Sequence, residues 1–529
     1  MSGKKIAGAA AIVSAITMIS RILGYIRDAI SAALFGVGIF SDAYFVALRI
    51  PNLLRDLLAE GALSSAFVPV FTDYIENKDN KEVWRLANNV LTVLSIILTL
   101  IVIFGIIIAP LVVMVIAPGF SKDPEKFALT VKLTRVLFPF IMLVSIAAIF
   151  LGILNSFKKF SIPAFAPVVL NIGWIFFGLF VCPKMTENTQ IYGWAAGAIA
   201  GALMQIILQF IPAFKLGFKW RFIIDLKEAG LRRIGKLMVP ATLGQSITQI
   251  SLVINTMIAS FLTAGSVTYL YYGNRLMQLP LGVFGVAIAT VSFPFISSYV
   301  AKKDFKSLKE TIHSSLKQAF FIVLPASAGI IFLSREINTL LFYYGKFSYQ
   351  DVLNTAKVSI MYSVAIFAYS GNKILTPVFY ALDKAHQAVR IGLLSLVINV
   401  ILNIALAFPL GFLGLALGTA ISGIINFIML YSLITRHIGD IETKGLVKFA
   451  LKVLCASLVM GIIVFVFAHY MEILLKAGMS RTKNGVVVIV AIIVGTMLYY
   501  FLLKIFRIDE GKRFINMVKE RLNKKQPSR

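Results

Sequence analysis

Ten ionisable side chains, Arg21, Arg27, Asp28, Asp42, Arg49, Arg55, Asp56, Glu60, Arg135 and Arg275, lie inside or at the ends of stretches that otherwise read as membrane-spanning helices. A charge at the bilayer centre costs on the order of 2.5–3.5 kcal/mol or more, and such groups face a polar cavity or a substrate path. Arginine dominates the set, which points to a cavity that receives an anion. A guanidinium makes forked hydrogen bonds to phosphate oxygens and stays charged when partly desolvated, so diphosphate is the natural ligand for several of them. The plainer alternative is an acid partner for each arginine, such as Asp56 for Arg27.

The elements that position these groups are helices. Arg21 and Arg27 are six residues apart, which on a straight helix separates them by about 9 Å of rise and roughly 120° of face; Gly24 between them would let that helix bend or unwind. In the next span Pro51 lacks an amide and is expected to kink the helix. Arg49 and Asp56 then share a face, and Arg55 points elsewhere. Asp28, Asp42, Asp56 and Glu60 neutralise part of the arginine charge. The second half contributes far less charge, and its clearest buried cation is Arg275.

Composition agrees. With 59% hydrophobic and 14% charged residues in 529, the chain is read as an all-α polytopic membrane protein. Apolar runs of roughly twenty residues recur to about Phe506, giving about fourteen spans; they lack the alternation of barrel strands. Lys and Arg at 4–5, 158–159, 215–236, 302–309, 436–444 and 504–529 fall on one side of an alternating chain, so both termini are expected in the cytoplasm. Lys122, Lys126, Lys476, Arg481 and Lys483 are exceptions. The net charge of +27 is thus partly topological and does not imply nucleic-acid binding. The two cysteines and four histidines have no metal-ligand spacing. Arg21 and Arg27 interrupt the first span, which is expected to remain as a helix rather than be cleaved as a signal peptide.

An internal repeat organises the chain. A shift of 225 residues aligns Ser41 with Ser266, Tyr44 with Tyr269, Ala62 with Ala287, Pro69 with Pro294, and Lys78, Asp79 and Lys81 with Lys303, Asp304 and Lys306. Six helices per unit make the repeat parallel, with two lobes. The expected division is residues 1–223, 224–440, and a remainder 441–529 with two further helices and a basic tail. Gly193, Gly197 and Gly201, and Gly414, Gly418 and Ser422, are read as close helix contacts within each lobe.

The segments Ser20-Arg21-Ile22-Leu23-Gly24-Tyr25-Ile26-Arg27-Asp28, Ser41-Asp42-Ala43-Tyr44-Phe45, Ile50-Pro51-Asn52-Leu53-Leu54-Arg55, Ala59-Glu60-Gly61-Ala62 and Ala66-Phe67-Val68-Pro69, with Tyr271-Tyr272-Gly273-Asn274-Arg275-Leu276 in the second half, closely resemble the MurJ (MviN-type) lipid II flippases. The resemblance covers essentially the whole chain. It implies a non-enzymatic transporter of the multidrug/oligosaccharidyl-lipid/polysaccharide exporter superfamily, in the bacterial inner membrane, moving undecaprenyl-diphosphate-linked disaccharide-pentapeptide to the outer leaflet for peptidoglycan synthesis. Arg21, Arg27, Arg55 and Arg275 match cavity arginines of the family, Asp42 matches an implicated acid, and the last two helices border a groove for the lipid tail. Some members resemble sodium-binding proteins; the matching positions are Asn255, Asn399, Asn403 and Thr419, which include no carboxylate, and interhelical hydrogen bonding is the other role open to them.

The expected partners are lipid II, membrane lipids and cell-wall synthesis proteins, with no nucleic acid, no cofactor and a monomer as the working unit. The membrane potential, with Na⁺ as a second candidate, would drive transport. The rival within the superfamily is an exporter of another polyprenyl-diphosphate oligosaccharide; a drug exporter would carry buried acids in place of the arginine cluster. A membrane glycosyltransferase would need a catalytic group on a sizeable outer loop, and the outer loops here are short. A pure scaffold would not need a charged interior.

Overall fold

The computed structural model describes residues 3–56, 63–475 and 480–508, and all of the extended regular structure in them is helical. That follows from the apolar composition, since a chain inside a bilayer must satisfy its own N–H and C=O groups. The first half runs α1 Gly3–Phe35, α2 Ile39–Leu54, α3 Ser64–Asn77, α4 Asn80–Ile107, α5 Ala109–Ile116, α6 Pro124–Ser156, α7 Ser161–Phe176 and α8 Gln190–Lys215. The second begins with α9 Ala229–Ser260, α10 Ser266–Pro280, α11 Val286–Ala301, α12 Phe305–Phe332 and α13 Ser334–Phe342. It continues with α14 Tyr349–Ser363, α15 Ile366–Ala381, α16 Ala385–Leu410 and α17 Phe412–Ile438. Two helices follow, α18 Thr443–Leu474 and α19 Arg481–Ile505.

Among the described residues, ten helical stretches are long and apolar enough to cross a membrane, and the pair α14 and α15, bent by 43°, makes an eleventh. The other three of the fourteen expected spans correspond to α1, to α2 with α3, and to α9. Between α2 and α3, residues 57–62 lie outside the description, and Glu60 with them.

The duplication is visible in the element boundaries. α4 and α12 begin and end 225 residues apart, as do α6 and the joined α14–α15. A wide, π-type turn at Arg55 and Asp56 follows α2, and another at Leu281–Gly285 follows α10. The two cores use the same positions: Phe71, Val83, Ala87, Leu91, Ile149 and Ile153 in one, Ile296, Leu308, Ile312, Leu316, Ile374 and Val378 in the other. Burial of each Phe, Val, Leu or Ile among them is worth about 1.5–3 kcal/mol where water is the alternative, and within lipid the same contacts act through close packing.

By contacts the chain forms two compact units, residues 1–268 with 344–347, and residues 269–343 with 348–529. α9, the first helix of the expected second lobe, thus groups with unit 1, and α18 and α19 with unit 2. Within unit 1, a Cβ on Gly201 of α8 would lie 2.5 Å from the Leu170 carbonyl oxygen of α7. Within unit 2, a Cβ on Gly418 of α17 would lie 2.3 Å from Asn403 Oδ1 of α16. The small residues therefore permit close helix contact, as read from their spacing.

Candidate functional site

α1 runs without a break through Gly24, so the unwinding that the glycine would allow is not used. Arg27 is largely buried, with 16% of its side chain exposed. Its Nε and Nη2 donate to Asp28 Oδ1 at 3.0 and 2.7 Å, and its Nη1 donates to Asn171 Oδ1 at 3.2 Å. The guanidinium lies 4.7 Å from the ring centre of Trp174, within cation–π range. Trp174 in turn donates its indole N–H to Tyr44 Oη at 3.0 Å, and Asn171 Nδ2 donates to the Ser20 and Pro167 carbonyls. α7 and α2 therefore build a platform that fixes one guanidinium of α1. Arg21, partly exposed on the same helix, makes no hydrogen bond or ion pair among the described residues.

Pro51 sits in the last turn of α2, and the helix gives way at Arg55, whose N–H reaches back to the Asn52 and Pro51 carbonyls. Arg55 Nε and Nη2 donate to Asp56 Oδ1 at 3.2 and 3.0 Å, and Gln249 Nε2 of α9 donates to Asp56 Oδ2 at 3.1 Å. The acid partner of Arg27 is thus Asp28 and that of Arg55 is Asp56, which corrects the pairing of Arg27 with Asp56. Each arginine is long enough to curl back on the next residue, and a helical-face count leaves that out. Arg49 is half-buried in α2. Arg135 is exposed and donates to the Ile106 carbonyl at the end of α4.

Asp42 is the most engaged acid. It is 1% exposed; Oδ2 accepts from Lys126 Nζ at 2.7 Å and from the Gly265 N–H at 2.7 Å, and Oδ1 accepts from the Thr268 N–H at 3.0 Å and Thr268 Oγ1 at 2.7 Å. Asp42 thereby supplies the acceptor for backbone donors at the start of α10, where a carboxylate is also favoured by the helix dipole. Lys126 is itself buried, with its ammonium 4.0 Å from the Phe120 ring centre. Sequence reasoning set Lys126 aside as an outer-loop exception; its partner lies 84 residues away, and no local spacing signals the pair.

In unit 2, Arg275 is half-buried on α10. Asn399, Asn403 and Thr419 come together between α16 and α17: Asn399 Nδ2 donates to Ser422 Oγ at 3.1 Å and Thr419 Oγ1 at 3.4 Å, and Asn403 Nδ2 to Asn399 Oδ1 at 3.3 Å. Asn255 belongs to α9 of unit 1. No cluster of three His, Cys, Asp or Glu side chains suited to a metal occurs among the described residues. An apolar groove of about 590 Å³ lies among α12, α15, α17 and α18, lined by Leu324, Phe427, Leu446, Ala450, Leu454 and Leu458 among others.

The chain matches the family model described as "Lipid II flippase MurJ" over residues 31–480. It is 36% identical to a probable lipid II flippase MurJ of Buchnera aphidicola subsp. Acyrthosiphon pisum (strain APS), covering 87% of this chain and 90% of that one. It is 32% identical to the lipid II flippase MurJ of Burkholderia cenocepacia, covering 85% and 87%. A solved structure of lipid II flippase MurJ in an inward closed conformation superposes with a TM-score of 0.77 at 28% identity, over 94% of this chain and 99% of that one. An inward-facing multidrug-resistance MATE transporter of the MOP superfamily shares the fold, with a TM-score of 0.63 at 15% identity over 82% and 99%.

Proposed function

Since this chain belongs to the MurJ family of lipid II flippases, we propose that it moves lipid II from the cytoplasmic to the outer leaflet of the bacterial inner membrane by alternating access. It is a transporter, not an enzyme. The diphosphate is held by Arg21, Arg27 and Arg55, with Arg275 as the fourth cation, and the polyprenyl tail lies along the apolar groove beside α18. Both termini are cytoplasmic.

The observation that best supports this reading is the setting of Arg27. A guanidinium placed on an aromatic face and steadied by Asn171 and Asp28 is pre-oriented, so less entropy is lost when it meets a phosphate. Asp42, near the short outer loops, ties α2 and α6 to the start of α10. The emptied, positively charged cavity is then returned inward by the membrane potential, worth about 2.3 kcal/mol per charge per 100 mV, with Na⁺ as a second driver to be tested. Unchanged turnover after the potential is collapsed would overturn that step.

Reconstitution into liposomes with labelled lipid II tests the function. Headgroup access from outside is expected for the wild type and lost for Arg27→Ala, once both are shown to be folded and equally inserted. No transport by the wild type, with a potential and Na⁺ supplied in turn, would favour another polyprenyl-linked sugar.

A further inference from the structure

The segment after α8 carries a feature that the flipping mechanism does not use. Residues 219–222, Lys-Trp-Arg-Phe, run without helix over α4, and in an extended chain successive side chains point to opposite sides. Trp220 and Phe222 are exposed and stacked, with ring centres 6.4 Å apart. Together with Thr92, Ser95, Ile96 and Leu100 of α4 they line an apolar groove of about 220 Å³. Lys219 and Arg221 line a separate cavity of about 590 Å³ with Asn80, Lys81, Trp84 and Arg85.

The backbone of this segment is fixed by two buried asparagines. Asn88 Nδ2 donates to the Lys219 carbonyl at 3.0 Å, and its Oδ1 accepts the Arg221 N–H at 2.7 Å. Asn89 does the same for Asp225, at 2.8 and 2.9 Å. The cationic side chains are not needed for that hold. Arg85 pairs with Asp225 at 3.0 Å, whereas Lys81, Lys219 and Arg221 make no ion pair among the described residues. The Trp84 indole N–H also finds no acceptor among them. Gly217, at φ +106°, lets the chain pass where a Cβ would sit 3.2 Å from that nitrogen.

We infer that this is a binding site for an anionic glycerophospholipid of the cytoplasmic leaflet, with the phosphodiester in the basic cavity and an acyl chain in the groove on α4. A free phosphate would use the cavity alone. The adjoining apolar groove, and an exposed Trp of the kind that sits at the headgroup level of a bilayer, favour a lipid. The bound lipid bridges α4 and the segment joining the two repeats, and so fastens that segment to the membrane surface.

The test uses the full chain in phosphatidylcholine vesicles containing either phosphatidylglycerol or phosphatidylcholine with brominated acyl chains at one mole fraction. Trp220 emission is read as the difference between wild type and Trp220→Phe. Brominated phosphatidylglycerol is expected to quench it more strongly. The preference should fall about thirty-fold in Lys219→Gln/Arg221→Gln and about five-fold in Lys81→Gln, which leaves the segment itself unaltered; Lys227→Gln should keep it. Equal quenching by the two lipids in the wild type, or a preference surviving in the double variant, would overturn the site. Loss of the preference on adding millimolar glycerol phosphate would give the cavity to a soluble phosphate and overturn the lipid assignment.

Discussion

The same place in the two repeats is built with different chemistry. Asp123 caps α6 and Ser348, 225 residues on, caps α14, each accepting the N–H three residues later. That third residue is Lys126 in the first repeat and Asp351 in the second. Lys126 reaches the buried carboxylate of Asp42. Asp351 instead completes a capping box with Ser348 and accepts the Tyr269 hydroxyl at 2.6 Å, and the position matching Asp42 is Val267. Arg21, Arg27 and Arg55 likewise match Ser246, Leu252 and Pro280. Duplication preserved the helices and the core positions, and at these matched positions the cations and the buried Asp42 stand in the first copy alone.

The same Asp-to-Asn change, made on the acid of each network, sharpens the contrast most. Asp42→Asn leaves the Lys126 ammonium buried without its counter-charge, at a cost of about 3–5 kcal/mol. Asp351→Asn keeps an acceptor for Tyr269 and loses part of the cap, about 1 kcal/mol. Thermal unfolding in detergent should rank them in that order, and Asp42→Asn/Lys126→Met should recover much of the first loss. Equal costs would break the comparison.

The arginine platform comes next. Arg27→Lys keeps a charge but loses the planar fork and its seat on Trp174, and charge-assisted bonds of about 1.5–3 kcal/mol each set a fall in lipid II affinity of roughly 10- to 100-fold. Wild-type affinity in that variant would mean that charge alone suffices.

Much of this was legible beforehand. The 225-residue offset anticipated the matched starts of α4 and α12 and the shared core positions, because helix periodicity and burial are written locally in each copy. The arginines and Asp42 were visible as charges in apolar stretches. Their partners were not: Lys126, Asn171, Trp174 and Gln249 approach from other helices, and each is ordinary in its own segment. The pairing of Arg27 with Asp28 was missed for the opposite reason, being too local for an argument from helical faces. Of the three expected spans beyond the eleven apolar ones, α1 carries Arg21, Arg27 and Asp28, which weakens the hydropathic signal that defines a span.

The matched tyrosines give a smaller contrast. Tyr44→Phe removes the acceptor of the buried Trp174 N–H and costs about 1–3 kcal/mol, loosening the seat of Arg27 as well. Tyr269→Phe removes a donor from Asp351, which keeps its Ser348 contacts, and costs about 1 kcal/mol. Only Tyr44→Phe should also weaken lipid II binding. A matching loss in Tyr269→Phe would show that the second repeat takes an equal part in recognition.

The smallest effect concerns the segments after the sixth helix of each repeat. Asn88 holds the first by the Lys219 carbonyl, and His313, its counterpart 225 residues on, contacts the Ile441 carbonyl at 2.9 Å in the second. Glu228, in the first, has its carboxyl pushed above the usual 4.5 by burial, against the pull of its Asn89 hydrogen bond. Asp440, in the second, is held below 3.8 by the Thr443 hydroxyl and N–H. A raised acid binds its proton more tightly when folded, so its stabilisation is present at low pH and is lost as pH climbs from 4.5 through the raised value. A lowered acid has the opposite sign: its contribution is present above 3.8 and lost as pH falls through the depressed value. Hydrogen exchange should therefore quicken in residues 219–226 as pH rises above 4.5, after correction for intrinsic rates, and should be protected in residues 439–443 over the same range. Glu228→Gln should flatten the first response and leave the second untouched; a pH response surviving in that variant would assign it to another group.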